Sequence, residues 1–237
     1  MRDNKGIFKI MNCVMYYSNT RQSRRIAEYL ADCTNYELFD ISTLEQYEYD
    51  TAVLVFPVYS QNIPRAVKTL LNKLTVKSLA VIATYGKMCH GNVLHEIQTH
   101  FKLNMTAAAY VPTKHSYLPY DSEFSDFRKL LPIVEKLNDR TPVTIPKSYK
   151  NPFSNVLKNI RHRMGIKLRK NENCDLCGVC NAICQQHAVN NGKINKHCIR
   201  CMKCVMHCPK NALSFTTRLP MRLYLRKKPI NKLIIYV

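Results

Sequence analysis

Eight cysteines near the C-terminus fall into two copies of one spacing. The first is Cys174-x2-Cys177-x2-Cys180-x3-Cys184; the second is Cys198-x2-Cys201-x2-Cys204-x3-Cys208, followed by Pro209. A [4Fe–4S] cubane takes one thiolate on each of its four irons. Three cysteines at two-residue intervals wrap a tight loop around three corners of the cube, and a fourth from the same loop would be strained. Two such runs read as ligands for a pair of cubanes, which accept and donate single electrons. Zinc is the main competitor, but it takes four cysteines as two CxxC pairs on separate loops. Overlapping CxxC steps closed by a CxxxC, twice over, suit it poorly. A disulfide framework fits worse, because no apolar signal stretch precedes Asn12. Reduced cysteines carrying clusters place the expected protein in a cytoplasm, and solvent-reachable clusters suit an anaerobe.

The repeat continues beyond the ligands. Ala188-Val189 follows Cys184 at the offset at which Ala212-Leu213 follows Cys208, and Asn191-Gly192 between the copies is a turn signal. Each half reads as a short hairpin unit that packs on its twin. Residues 172–215 resemble the bacterial two-cluster ferredoxins. That resemblance implies that the fourth ligand is exchanged between repeats: Cys174, Cys177, Cys180 and Cys208 for one cluster, and Cys198, Cys201, Cys204 and Cys184 for the other. Gln185 stands where those ferredoxins usually carry proline.

The preceding residues alternate between strand and helix patterns. Strands are expected at 7–17, 36–41, 51–58, 79–84 and 105–111, and helices at 20–33, 63–74 and 92–101. The run 51–58 is continuously apolar, as in a strand covered on both faces. Strands alternating with helices predict an α/β domain with a parallel sheet. Ligands of such sheets bind outside the carboxyl ends of the strands. Three loops lie there: Ser18-Asn19-Thr20-Arg21-Gln22-Ser23, the stretch from Pro57 through Val58 and Tyr59 to Pro64, and Tyr85-Gly86-Lys87 through Asn92. Hydroxyls and backbone N–H groups at a helix N-terminus make an anion site, although Ser18, Thr20 and Ser23 read equally as helix-capping residues. Tyr59 and Tyr85 taken singly read as half-buried aromatics.

Over this part the chain resembles the flavodoxins, with a doubly wound five-stranded parallel sheet as the implied fold. The resemblance implies FMN, its phosphate on the first loop at Ser18, Thr20, Arg21, Gln22 and Ser23. The ring would lie between Pro57, Val58 and Tyr59 on one side and Tyr85 and Gly86 on the other. Arg21 stands where the family usually has glycine, and Asn19 where a small residue is common. The combination with the small α+β cluster domain resembles the prokaryotic flavodoxin–ferredoxin fusion proteins, whose members are generally assigned electron transfer.

The expected boundaries are 1–146 for the flavodoxin-like domain, 147–171 for a basic linker, 172–216 for the cluster domain and 217–237 for a basic tail. Pro142, Pro146 and Pro152 mark the first boundary. Residues 122–138 suggest a helix interrupted near Pro132. Residues 155–170 suggest a basic helix with Val156, Ile160, Met164 and Leu168 on one face, a spacer packed on the flavodoxin-like part. Leu219, Met221, Leu223 and Leu225 alternate as in an edge strand, and residues 233–237 are short, apolar and expected to dock on the protein. No run of 18 apolar residues is present.

Charge is divided unevenly. Residues 1–146 carry 17 Lys/Arg against 14 Asp/Glu, and residues 147–237 carry 19 against 2. An acidic redox protein, such as a ferredoxin or flavodoxin, is the expected partner of so basic a cluster domain. Anionic lipid at a membrane surface is the alternative. Nucleic acid is not expected, because no binding motif or aromatic platform accompanies the charge. The leading function is an electron carrier. The alternatives are a flavin-dependent reductase, with His90 as its candidate proton donor, and a ferredoxin with a docking domain that holds no flavin. Cys13 and Cys33 read as buried structural thiols, Cys89 as a thiol in a flavin loop, and His187, His197 and His207 as surface residues flanking the ligands.

Overall fold

The computed structural model describes residues 11–118, 121–155 and 158–237. Residues 7–10 of the first expected strand, and Val156 and the side chain of Ile160 on the expected basic face, lie outside that description. In chain order the elements are β1 (Met11–Tyr16), α1 (Gln22–Thr34), β2 (Glu37–Asp40), β3 (Glu48–Pro57), α2 (Arg65–Leu71), β4 (Thr75–Tyr85), α3 (Val93–Phe101), β5 (Met105–Pro112) and α4 (Leu131–Lys136). They continue with α5 (Lys158–Gly165), β6 (Ile166–Lys170), α6 (Val179–Ala182), β7 (Val189–Asn190), β8 (Lys193–Ile194), α7 (Lys203–Met206), β9 (Leu213–Thr217), α8 (Leu219–Leu225) and β10 (Ile234–Tyr236). The chain divides into two units. The first takes residues 11–114, Ser122–Asn151 and Ile230–Val237; the second takes His115–Asp121 and Pro152–Pro229.

In the first unit β2, β1, β3, β4 and β5 lie side by side in that order, all parallel. This is the flavodoxin-like doubly wound order, in which the direction of winding reverses between β1 and β3. Both faces of the sheet are covered, so alternate residues of one strand serve different cores. Leu54 and Phe56 of β3 pack with Val67 and Leu70 of α2 and Ile97 of α3. Val53 and Val55 face Ile26 and Leu30 of α1 and Ile133 of α4. This double burial explains why residues 51–58, in and just after β3, read as a continuous apolar run.

β10 adds an antiparallel sixth strand to the sheet, pairing Ile234–Tyr236 with residues 108–110 of β5. The expected docking of the apolar C-terminus on the protein is thus a sheet extension that covers the β5 edge. Pro132 opens α4 from its first turn rather than interrupting a longer helix, since proline's missing N–H costs nothing there.

Two expectations for the basic stretches are corrected. The helix expected over 155–170 ends at Gly165, and Ile166–Lys170 instead pair antiparallel with Leu213–Thr217. A Cβ at Gly165 would come within 3.0 Å of Met221, so the helix end sits against α8. Pro152 onward belongs to the second unit, Pro152–Pro229. The edge strand expected over 219–225 is a helix, α8, with Pro220 in its first turn. Four apolar residues at every second position are also two i,i+4 pairs. Met221 and Leu225 turn inward toward Ile166, while Leu219 and Leu223 remain exposed.

Candidate metal centre and cofactor site

The second unit repeats its backbone as well as its cysteines. Leu176 and Arg200 have φ of 61° and 58°, Gly178 and Met202 have 77° and 65°, and His187 and Asn211 have 46° and 48°, each pair 24 residues apart. α6 and α7 keep the same offset, and so do the starts of β7 and β9. The N–H of Ala188 donates to Cys184 Sγ at 3.3 Å, and the N–H of Ala212 donates to Cys208 Sγ at 3.2 Å. Both loops therefore use left-handed turns at the same places, and both place an N–H donor on the sulfur of the last cysteine of the run. Donors to cluster sulfurs are among the protein's means of setting potential.

Cysteines of the two repeats lie near one another in the second unit. Cys174, Cys177 and Cys180 line one cavity, and Cys208 of the second repeat lines it with them. The Cys204 thiol is pushed up to about 12, first by burial and then by the thiols of Cys201, Cys198, Cys184 and Cys180. Cys201 is pushed up to about 11, mainly by burial, with Cys198 and Cys184 adding to it and the Lys203 N–H opposing. Thiols raised as Cys201 and Cys204 are resist becoming thiolates unless a cationic group joins them. The cysteines thus fit the iron of a cubane. Among the described residues no three His, Cys, Asp or Glu side chains form a single-ion site.

At the switch point of the first unit, the loop after β1 leads into α1 through Arg21. That residue has φ 63° and ψ −12°, the left-handed conformation that glycine adopts freely. The backbone path is kept with an arginine in it, at about 1–2 kcal/mol, and the side chain is exposed. The Ser18 and Thr20 hydroxyls have no partner among the described residues, and the first turn of α1 contains no acid. Ser23 does not face this loop: its hydroxyl bonds Thr84 Oγ1 at 2.9 Å in the core. Gln22 donates to Glu123 Oε1 at 3.0 Å, and Arg25 pairs with the same carboxylate.

Pro57, Val58 and Tyr59 are half-buried at the end of β3. The Tyr59 hydroxyl accepts a hydrogen bond from the Asn19 amide, which joins the first two loops. Ser60 and Gln61 both have positive φ, a tight turn closed between Tyr59 and Asn62. A Cβ on Gly91 would lie 2.7 Å from Gln61 Cβ, so the loop after β4 requires glycine where it passes this turn. Gly86 is half-buried in that loop. Tyr85 is 2% exposed. Its hydroxyl donates to the Lys232 carbonyl at 2.6 Å and accepts from the Lys232 N–H at 3.2 Å, so it holds the segment leading to β10. His90 stacks on Tyr110 at 3.8 Å, and burial pulls its pKa down, leaving the ring neutral near neutral pH. Cys13 is buried, and Cys33 is exposed rather than enclosed at its helix end. Cys89 is half-buried, with its sulfur 4.0 Å from the Tyr149 carbonyl.

Sequence reasoning passed over the segment at 115–121. Tyr117 is buried in the second unit, donates to the Arg200 carbonyl at 2.8 Å and packs against Phe215. Nothing in its local pattern marks it as part of a cluster domain.

Comparison with known families matches residues 193–214 to the 4Fe-4S binding domain. The match takes in Cys198, Cys201, Cys204 and Cys208. No curated protein matches the chain. Among solved structures, a short-chain flavodoxin associated with a bacterial microcompartment is 18% identical, covers 54% of this chain and 97% of its own, and has a TM-score of 0.42. The rubredoxin oxygen:oxidoreductase of the anaerobe Desulfovibrio gigas is 14% identical over 53% of this chain and 34% of its own, with a TM-score of 0.41. A flavodoxin from the domain Archaea is 14% identical over 54% of this chain and 98% of its own, with a TM-score of 0.38. The chain joins a flavodoxin-like α/β unit to a 4Fe–4S ferredoxin-type unit, an architecture for electron transfer. Among the described residues no helix is long and apolar enough to cross a membrane.

Proposed function

We propose that the chain is a cytoplasmic electron carrier that holds two [4Fe–4S] clusters and an FMN and exchanges single electrons with an acidic redox protein. The observation that carries this reading is the repeat of loop conformation at 24 residues, with a full cysteine set in each copy. The family match covers the second copy, and the backbone of the first follows it turn for turn. Such clusters supply one-electron chemistry, while the chain supplies the thiolates, the N–H donors of Ala188 and Ala212 and the burial. Iron and acid-labile sulfide in anaerobically prepared protein test it. About eight of each per chain are expected for two cubanes. Zinc without sulfide overturns the reading.

For the flavin, Ser18, Thr20 and the α1 N-terminus would take the phosphate and Tyr59 would lie beside the ring. Thr20→Ala is expected to weaken FMN uptake about fivefold through one lost hydrogen bond. Ser23→Ala is expected to act on stability instead, through the lost bond to Thr84. Protein that takes up no FMN at micromolar concentration leaves a ferredoxin with a docking domain.

The partner reading rests on charge. Lys203 and Lys210 lie among the ligands, and Lys210 is balanced only by a 3.8 Å contact with Asp175 at the surface. Attraction should fade as the Debye length falls from about 30 Å at 0.01 M salt to about 10 Å at 0.1 M. Replacing both lysines by Glu should slow transfer from an acidic donor far more than from a neutral dye, with Lys68→Glu and Lys102→Glu in the first unit as controls. A rate indifferent to salt and to these changes removes the acidic partner.

A further inference from the structure

Arg200 lies in the loop between two ligands, Cys198 and Cys201. Its backbone is left-handed at φ 58°, and its twin in the first repeat is Leu176 at φ 61°. The two side chains have opposite fates. Leu176 is 55% exposed. The Arg200 guanidinium turns inward, and its Nε and Nη1 are buried with no hydrogen-bond partner among the described residues. A buried cationic donor left unpaired is costly, so such a group ordinarily belongs to an anion.

The loop that carries it is pinned. The Arg200 carbonyl accepts from Tyr117 Oη at 2.8 Å, and Tyr117 is itself 8% exposed and packed with Phe215 and Met202. This clamp is specific to the second repeat. An oxidised cubane with its four thiolates carries a net charge of about −2, and reduction adds one more negative charge. A cation in the loop that carries two of its ligands would favour the reduced form.

We propose that the Arg200 guanidinium is the charge-bearing donor to the cluster on Cys198, Cys201, Cys204 and Cys184, so that this cluster holds the electron in preference to its twin. The inference rests on the two-cluster reading. It assigns the pair a direction: the exposed first repeat exchanges electrons and the clamped second repeat retains them.

The test is a potentiometric titration of the full-length anaerobic protein followed by electron paramagnetic resonance, with iron and sulfide measured on the same samples. Wild type should show two separate one-electron transitions. Arg200→Leu, which copies the twin residue, should lower the higher one and bring the two together. At a fixed potential the ratio of reduced to oxidised cluster should fall about tenfold, which is about 59 mV for one electron. Arg200→Lys keeps the charge and should move it less, while Arg200→Gln should move it like Leu, so the Lys–Gln difference decides if the Leu variant loses iron. Full iron content with unmoved potentials in Arg200→Leu and Arg200→Gln overturns the inference and leaves the two clusters standing. Four irons per chain in wild type overturns the two-cluster reading. In that case Arg200→Leu must still lower the single remaining potential, and a failure to do so removes the role of Arg200 as well.

Discussion

Leu176 and Arg200, Gly178 and Met202, His187 and Asn211 occupy the same three left-handed turns of two loops 24 residues apart. Around the first loop Cys177 is exposed, and a Cβ on Gly178 would meet nothing within 4 Å. Around the second, Cys198 and Cys204 are each 7% exposed and Met202 packs on Tyr117 and Ile166. One local sequence rule therefore builds two cradles, and what is laid over them makes them unlike. The covering comes from far along the chain: Tyr117 from before the unit's main segment, β6 and α8 from either side of the ligands. Backbone conformation in this unit is a property of the repeat, whereas burial is a property of the assembly.

The sharpest way to break the comparison is to remove one ligand from each copy. Cys201→Ser and Cys184→Ser are expected to abolish the same cluster, although the residues lie in different repeats, and Cys174→Ser and Cys208→Ser the other. Iron content should fall by about half in each case, and the resonance signal should identify which cluster remains. Loss pairing Cys184 with Cys174 instead would mean that each repeat holds its own cluster.

A smaller effect should expose the clamp. His115 is half-buried in the second unit, and burial pulls its pKa down to about 4, with nearby His162 acting in the same direction and Asp121 opposing. The folded state thus binds fewer protons than the unfolded chain between about pH 6.5 and pH 4. The stability this contributes is complete above about 6.5 and is lost as pH falls toward 4, by about 3 kcal/mol in total. Thermal unfolding from pH 7 to pH 4.5 should show that loss, and His115→Gln should flatten it. An unchanged slope would mean that the 115–121 segment does not report on the fold of the second repeat.

The smallest effect should come from the open loop. Gly178→Ala introduces a side chain at φ 77° with free space around it, so only the backbone preference is lost, about 1 kcal/mol. Gly91→Ala in the first unit adds a 2.7 Å clash with Gln61 to the same preference and should cost at least twice as much in unfolding free energy. Equal costs would show that the first loop is packed after all.

Much of this was legible because it is local. A cubane's ligands come at fixed short intervals, so the two cysteine runs announce themselves. The strands β3 to β5 are covered on both faces, and that leaves apolar-rich segments with helical patterns between them. Left-handed turns were harder to foresee. Arg21, Arg200 and Met202 adopt them without glycine, because surrounding hydrogen bonds and packing hold conformations that the residue types do not favour.

The residue types and spacings by themselves determined the two cysteine runs, the order of strand and helix in the first unit and the separation of charge between the two parts. The tertiary structure alone decided the rest. Residues 166–170 became a strand because Leu213–Thr217 offered them a ladder, and Leu219–Leu225 became a helix because Met221 and Leu225 had a core to enter. Ile234–Tyr236 closed the sheet because β5 had an open edge. Tyr117 and the buried guanidinium of Arg200 acquired their places from partners distant in sequence. Pairing across long separations depends on which edges and faces remain uncovered once the local elements have formed, and no window of neighbouring residues carries that information.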